Sequence, residues 1–360
     1  MELVLTLFTH FARGTTIRMG RAIGASLLAL ALAPSAWAAT FDPALETAAR
    51  GEGSVVWYTG LIVNQITRPM AAAFEARFPG ITVKYSRASN TETTLKLLNE
   101  ARAHRVQADV FDVTSGIHSL LDAHVVAPYQ APPAAHFPAV LKDPEGYWFG
   151  TNLYFLTVAY NTNLVKQEEA PRVWDDLLDP KWRGHMAWTS ELAAQGPPGF
   201  IFNALAVKGP DKGMDYLRRF AAQVPVAIAS SPRAVLDQVI SGEHWLGVMM
   251  YNHHAAISAA AGAPVAWVKM EPLVGLFSIM GITKDAPHPN AARLFEAYVL
   301  SPEGQAVFAA NDYLPADPDV PARIPELKPE AGHFSVNYIT PQMSRDDLAK
   351  WIAIYHEVFR

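Results

Sequence analysis

Cysteine is absent from all 360 residues. That absence excludes disulfides, thiolate zinc centres, iron–sulfur clusters and a cysteine nucleophile together. It also removes the acceptor thiol that a bacterial lipoprotein carries at its mature N-terminus. Surplus positive charge is missing too: 29 Lys and Arg stand against 34 Asp and Glu, for a net charge of −5. Such a chain is not built to neutralise a phosphate backbone, so nucleic acid is not an expected partner. No apolar run reaches the about 20 residues that a membrane span requires. No G-x-S-x-G elbow, P-loop or H-E-x-x-H pair occurs. What remains is a chain 50% hydrophobic and 18% charged, enough for packed cores and, by length, roughly two domains.

The first forty residues read as an export signal. Arg18 and Arg21 precede an apolar run over residues 22–33, and Ala36-Trp37-Ala38 supplies an A-x-A cleavage site. Together they make a secretory signal peptide over residues 1–38. Met19 is an alternative start, because residues 1–18 add nothing a signal needs. The expected location is the periplasm.

Beyond the signal, strands alternate with helices. Val55-Val56-Trp57-Tyr58 reads as a buried strand ending at Thr59-Gly60, and a helix with Ile66, Met70, Phe74 and Phe78 on one face follows. Pro69 fits that helix only in its first turn. Ile81-Thr82-Val83-Lys84-Tyr85 is the second strand. Ser89-Asn90-Thr91-Glu92 has capping-box spacing, opening a helix that should bury Leu95, Leu98 and Ala101. Val110-Phe111-Asp112-Val113 is the third strand, before a helix behind Gly116. Such alternation implies parallel βαβ units. Near residues 147–163 it breaks: Tyr147-Trp148-Phe149-Gly150 and residues 153–160 read as consecutive extended segments. It then resumes with strands at 186–188, 226–229 and 246–250. Ser231 caps a helix with Pro232 at its first position. Two α/β lobes joined by extended segments near 147–163 and 272–282 are expected, with an amphipathic helix carrying Leu348, Trp351, Ile352 and Tyr355 in the tail.

Seven phrases along the chain resemble one family in its order, from about residue 53 to 320. They are Val56-Trp57-Tyr58-Thr59; Ala73-Phe74-Glu75 with Phe78-Pro79-Gly80-Ile81; and Ala108-Asp109-Val110-Phe111. Ala159-Tyr160-Asn161-Thr162 and the run from Trp174-Asp175-Asp176 through Leu177-Leu178-Asp179-Pro180-Lys181-Trp182 follow. Ala286-Pro287-His288-Pro289-Asn290-Ala291-Ala292 and Ser301-Pro302-Glu303-Gly304-Gln305 complete the series. The chain resembles the periplasmic substrate-binding proteins of ABC importers, in the branch that includes ferric-ion, thiamine and phosphonate or sugar-phosphate binders. The resemblance implies an α/β, two-lobed periplasmic-binding-protein fold. Each lobe is a mixed, mostly parallel sheet flanked by helices, with the ligand cleft between lobes. On this basis lobe 1 takes residues 39–150 plus 275–320 and lobe 2 takes 151–274 with the hinge segments. Residues 321–360 form a helical tail of unassigned lobe. The implied partners are a small-molecule ligand and an inner-membrane ABC permease, for a monomeric, non-enzymatic protein with no cofactor.

In open α/β sheets, ligands sit beyond the carboxyl ends of the strands. The turns there make Tyr58, Thr59, Gly60, Arg87, Ser89, Thr114, Ser115, Thr189, Ser190, Ser230, Ser231, Tyr251, Asn252, His253 and His254 the candidate ligand-binding residues. Several of these turns open onto helix N-termini, whose free N–H groups suit an anion. Ser and Thr are also the preferred N-caps, which explains the same composition without a ligand. Arg233, in a first helical turn, is an unfavourable place for a cation unless an anion is near. Trp57 and Trp188 are read as core, and Tyr58 and Tyr251 as cleft residues.

Ferric relatives hold iron with an adjacent tyrosine pair that here reads His253-His254, and their first-lobe His and Glu ligands fall near Ile62 and Thr114-Ser115. Ferric iron favours anionic oxygen over neutral imidazole. The expected ligand is therefore a small anionic organic solute: a phosphonate, phosphate ester or carboxylate. A ferric or other metal ion held through His253 and His254, and a thiamine-type ligand, are the alternatives within the class. For the histidine pair itself, anion binding, divalent metal ligation and packing all stay open. A secreted hydrolase with His253 or His254 as general base is the reading from another class. The scattered His104, His118, His124 and His136 are expected at the surface.

Overall fold

The computed structural model describes residues 41–228 and 231–359. The signal-peptide reading, Ala229 and Ser230 fall outside the described residues. Among those described, no helix is long and apolar enough to cross a membrane.

The first half runs α1 (Pro43–Glu52), β1 (Ser54–Thr59), α2 (Arg68–Arg77), β2 (Thr82–Arg87), α3 (Asn90–Arg102), β3 (Val110–Val113) and α4 (Ile117–Asp122). Then come β4 (Val126–Ala127), β5 (Phe149–Asn161), β6 (Met186–Thr189), α5 (Pro197–Lys208), α6 (Pro210–Ala221), β7 (Val226–Ile228) and α7 (Pro232–Ser241). The chain continues through β8 (Leu246–Tyr251), α8 (Asn252–Ala260), β9 (Val265–Trp267), β10 (Leu273–Thr283), α9 (Pro289–Leu300) and α10 (Pro302–Ala310). It ends with β11 (Leu314–Pro315), α11 (Pro329–Gly332), β12 (Val336–Tyr338) and α12 (Pro341–Val358).

The main path of the sheet is β2-β1-β3-β10-β5-β8-β6-β7. The pairs β1–β2 and β1–β3 are parallel at one end, as are β6–β8 and β6–β7 at the other. Between them β10 and β5 run antiparallel, to each other and to their outer neighbours β3 and β8. These long strands connect the two lobes. The β10–β5 ladder shifts register between Ser278 and Ile279, and the β5–β8 ladder between Thr157 and Val158. Such irregularities bend a strand locally. The two extended segments read near 147–163 are one continuous strand, β5.

Local chemistry explains the elements. Pro69 occupies the second position of α2, directly behind a π-helical turn over Val63–Thr67, so its missing N–H falls where the two helix types join. The Ser89–Glu92 capping box forms in both directions. Of the expected stripe, Leu98 and Ala101 pack against the core, but Leu95 is 54% exposed, and Leu97, Thr93 and Thr94 are buried instead. Lobe 1 packs Trp57, Phe74, Phe78 and Phe295 on one face of its sheet, and Phe111, Ile117 and Leu120 on the other. In lobe 2, Phe200 meets Phe220, Trp174 and Trp188 with centroids 4.5–5.6 Å apart. The C-terminal α12 joins that core through Trp351 on Phe202 and Tyr355 near Trp188.

Candidate ligand-binding site

Strand β8 ends at Tyr251 and the chain enters α8 at once. His253 and His254 therefore occupy a first helical turn rather than a strand end. Tyr251, at the N-cap position, makes no side-chain cap bond, so the first-turn N–H groups and the positive pole of α8 are left uncovered by it. Asn252 turns away, donating from Nδ2 to the Leu327 carbonyl at 3.0 Å. His253 is 4% exposed. The Nδ1 atoms of His253 and His254 are buried without a hydrogen-bond partner among the described residues. The two rings lie 4.4 Å apart, and Tyr251 sits 5.6 Å from His253 and 5.1 Å from His254.

Burial keeps both imidazoles neutral. His254 is pushed down to about 4, by desolvation first and by the Arg233 charge second, with Asp237 opposing. His253 lies well below the ordinary range, through burial and then its neighbour His254. A protonation near pH 6.5, natural for a free imidazole, is thus displaced. Each neutral ring still offers one N–H donor and one acceptor nitrogen.

Two further tyrosines lie near the pair, and a buried carboxylate acts on both of them. Tyr154 of β5 lies 5.6 Å from Tyr251 and 6.1 Å from His253, and its hydroxyl meets Ser278 Oγ at 3.1 Å. Tyr313 and His253 line one small recess, whose wall includes Ile257, Arg323 and Leu327. Burial pushes the phenols of Tyr154, Tyr251 and Tyr313 up. Asp112, at 2% exposure, is near enough for its charge to help raise the phenols of Tyr154 and Tyr313. It accepts from Trp57 Nε1 at 2.8 Å, Gly60 N at 3.1 Å and the Thr59 hydroxyl. Desolvation nonetheless lifts its pKa to about 7.

The structure brings together Tyr251, His253 and His254, with Asn252 beside them tied to Leu327, whereas Thr59 and Gly60 bond Asp112. Arg87 borders this turn, donating from Nε to the carbonyl of Leu61 at 3.0 Å. Tyr58, expected in the cleft, is instead a core residue, because this parallel strand is covered on both faces. Its hydroxyl bonds Glu100 at 2.8 Å and Lys96 lies over its ring. Ser89 is engaged by Glu92, and Ser231 caps α7 through Ala234 N. Thr114 is tied to Asn90 by paired bonds of 2.6 and 3.0 Å, with Ser115 exposed beside it. Thr189 is buried and accepts from Glu191 N; Ser190 N donates to Ile228. Arg233 bonds Ser258 and Asp237 at 2.9 and 2.7 Å, so its charge has a partner on its own helix.

Asp112, Tyr154 and Tyr313 were not among the candidates. A carboxylate inside the apolar run Val110-Phe111-Asp112-Val113 is a readable signal, since Asp is seldom fully buried. Tyr154 and Tyr313 reach the site only through the crossing of distant segments.

The sequence profile described as bacterial extracellular solute-binding protein matches residues 108–331. Iron uptake protein A1 of Synechocystis is 24% identical over 187 residues, which cover 49% of this chain and 51% of that protein. The chain thus spans about half the length of that curated relative. A Trichodesmium structure described as in complex with iron and citrate ligands superposes with a TM-score of 0.71 at 20% identity, covering 85% of this chain and 99% of that one. The periplasmic binding protein AfuA from Actinobacillus pleuropneumoniae, with fructose-6-phosphate bound, gives a TM-score of 0.67 at 20% identity over 85% and 98%. These likenesses show the two-lobed fold.

Proposed function

This chain belongs to the family of bacterial extracellular solute-binding proteins, and from that premise we propose that its interlobe site captures a small anionic organic solute for import. Solute-binding components of ABC importers are not enzymes, and the hydrolase reading lapses with that membership. One observation supports the substrate class. The N-terminus of α8 lacks a side-chain cap and carries two buried, neutral imidazoles whose Nδ1 atoms have no partner among the described residues. A phosphonate, phosphate ester or carboxylate would accept from the first-turn N–H groups and from the imidazoles together. The carbohydrate phosphate held by the Actinobacillus protein is in keeping with this class. Export by residues 1–38, delivery to an inner-membrane permease by a monomer, and lobe limits of 39–150 with 275–320 against 151–274 belong to the same proposal.

A second reading has its own support. Tyr251 lies by Tyr154, and Tyr154 and Tyr313 feel the Asp112 charge; oxygen donors of this kind suit a ferric ion, and the Synechocystis and Trichodesmium relatives carry iron in their descriptions. Burial disfavours ionisation of each phenol here, so iron would have to expel their protons as it bound. The anion reading needs no such cost. Mass spectrometry of the small molecule that copurifies with the native protein, with metal analysis of the same sample, is the test. One equivalent of a phosphate-, phosphonate- or carboxylate-bearing species without iron is expected. Stoichiometric iron with a visible phenolate-to-metal absorption would overturn the proposal in favour of the second reading.

A further inference from the structure

Away from the cleft lies a group that the solute site does not use. His136 follows a 3-10 turn (Pro132–Ala134), and Asp317 and Asp319 follow β11. His136 Nε2 lies 2.9 Å from Asp317 Oδ1 and 3.7 Å from Asp319 Oδ2. One potential ligand atom from each residue falls within 4.8 Å of the others. A tetrahedral zinc ion with bonds of about 2.0–2.2 Å sets its ligand atoms about 3.3 Å apart, so the ion would part the His136–Asp317 pair slightly and draw Asp319 in.

The second observation is the state of Asp317. Its side chain is fully buried, and Oδ2 has no hydrogen-bond partner among the described residues. The nearby ammonium of Lys328 does not meet that oxygen. It donates to the carbonyls of Asp317 and Val320 at 2.6 and 2.8 Å, and its outer contact is Glu330. Gln305 Oε1 accepts from Asp317 N at 3.0 Å, and Asp319 N donates to Asp317 Oδ1 at 2.9 Å. The carboxylate is therefore fixed in place with one oxygen left unpaired, which is costly for a buried polar atom.

We propose that His136, Asp317 and Asp319 form a binding site for a first-row divalent cation. The donor set selects the ion. An imidazole nitrogen with two carboxylates suits zinc and its neighbours, whereas calcium and magnesium prefer oxygen alone. The exposed faces of His136 and Asp319, 42% and 85% accessible, leave room for water at the remaining positions. The site joins two segments distant in sequence. One of them also carries Tyr313, Arg323 and Leu327 of the cleft wall, so a bound cation would fasten that wall to the His136 turn.

The test uses the full chain after chelator treatment, titrated calorimetrically with zinc chloride alone. One equivalent of zinc is expected to bind in a form that magnesium does not displace. His136→Ala and Asp319→Asn, both at exposed positions, should each lower the affinity of that equivalent about tenfold or more. The melting temperature should rise with zinc in the parent protein and not in either variant. If no zinc equivalent is sensitive to either substitution, the cluster is an imidazole–carboxylate ion pair only and the proposal fails.

Discussion

Acidification should tighten capture of an anionic solute, and His254 should carry the effect. In the free protein His254 titrates at about 4, held down by burial and by Arg233 against the opposing Asp237. An anion about 4 Å from the ring, at an effective dielectric of about 20, stabilises the imidazolium by about 4 kcal/mol. That corresponds to about three pKa units, which would lift His254 from about 4 to about 7 in the complex. The free protein then stays neutral across the window, whereas the complex takes up a proton as the pH falls. Binding coupled to proton uptake strengthens on acidification. From about pH 7.5 to about pH 5.5 the dissociation constant should fall about twentyfold. Calorimetry with a carboxylate solute, run in parallel on His254→Gln, removes the ligand's own titration from the comparison. The parent should gain affinity relative to the variant. A ferric–phenolate site would show the reverse slope, because protons compete with the metal for oxygen. Equal slopes in parent and variant, or weaker binding in acid, would refute the reasoning.

Asp112 titrates at about 7 in the fold against an ordinary 3.8. Its contribution to stability is fully present below about pH 4 and is lost as the pH rises to about 7, by up to about 4 kcal/mol. Urea unfolding of Asp112→Asn should show a flatter pH dependence across that window. At its acid end the variant should be weaker than the parent by about 1–3 kcal/mol, because a donor would lose its acceptor; unchanged slopes would contradict the assignment. Phe200→Ala, in the aromatic core of lobe 2 at 1% exposure, should cost about 3–5 kcal/mol in urea unfolding while leaving ligand affinity nearly unchanged. Small-angle scattering should record compaction when solute is added, through rotation about the irregular stretches of β5 and β10 at Thr157/Val158 and Ser278/Ile279; an identical profile at saturation would indicate a rigid cleft.

Much of the fold was legible because local chemistry agreed with it. The Ser89–Glu92 box, the Ser231-Pro232 start and the apolar strands all form as their residues dictate. The errors have physical causes too. Leu95 lies on the expected stripe of α3, but tertiary packing turns Leu97 inward and lets the small polar Thr93 and Thr94 be buried instead. Tyr58 was assigned to the cleft from its place at a strand end, although a parallel strand covered on both faces hides consecutive residues. The N-cap of α8 is Tyr251 rather than Ser, Thr, Asp or Asn, and Asn252 lies one position inside the helix, so the usual cap signal is displaced there. The site is harder to read than the fold. Tyr154 stands on β5 and Tyr313 just before β11, far apart in sequence, and only the tertiary fold brings them near His253.

The most direct test is a calorimetric titration of a phosphonate, phosphate-ester and carboxylate panel, with ferric citrate alongside, on the parent chain and on His253→Ala/His254→Ala. Hydrogen bonds to a charged partner contribute about 1.5–3 kcal/mol each, or about tenfold or more per imidazole. Saturable binding of one anionic solute should therefore weaken by about a hundredfold or more in the double variant. Tight ferric binding that is indifferent to the anion and survives the double substitution would contradict the account.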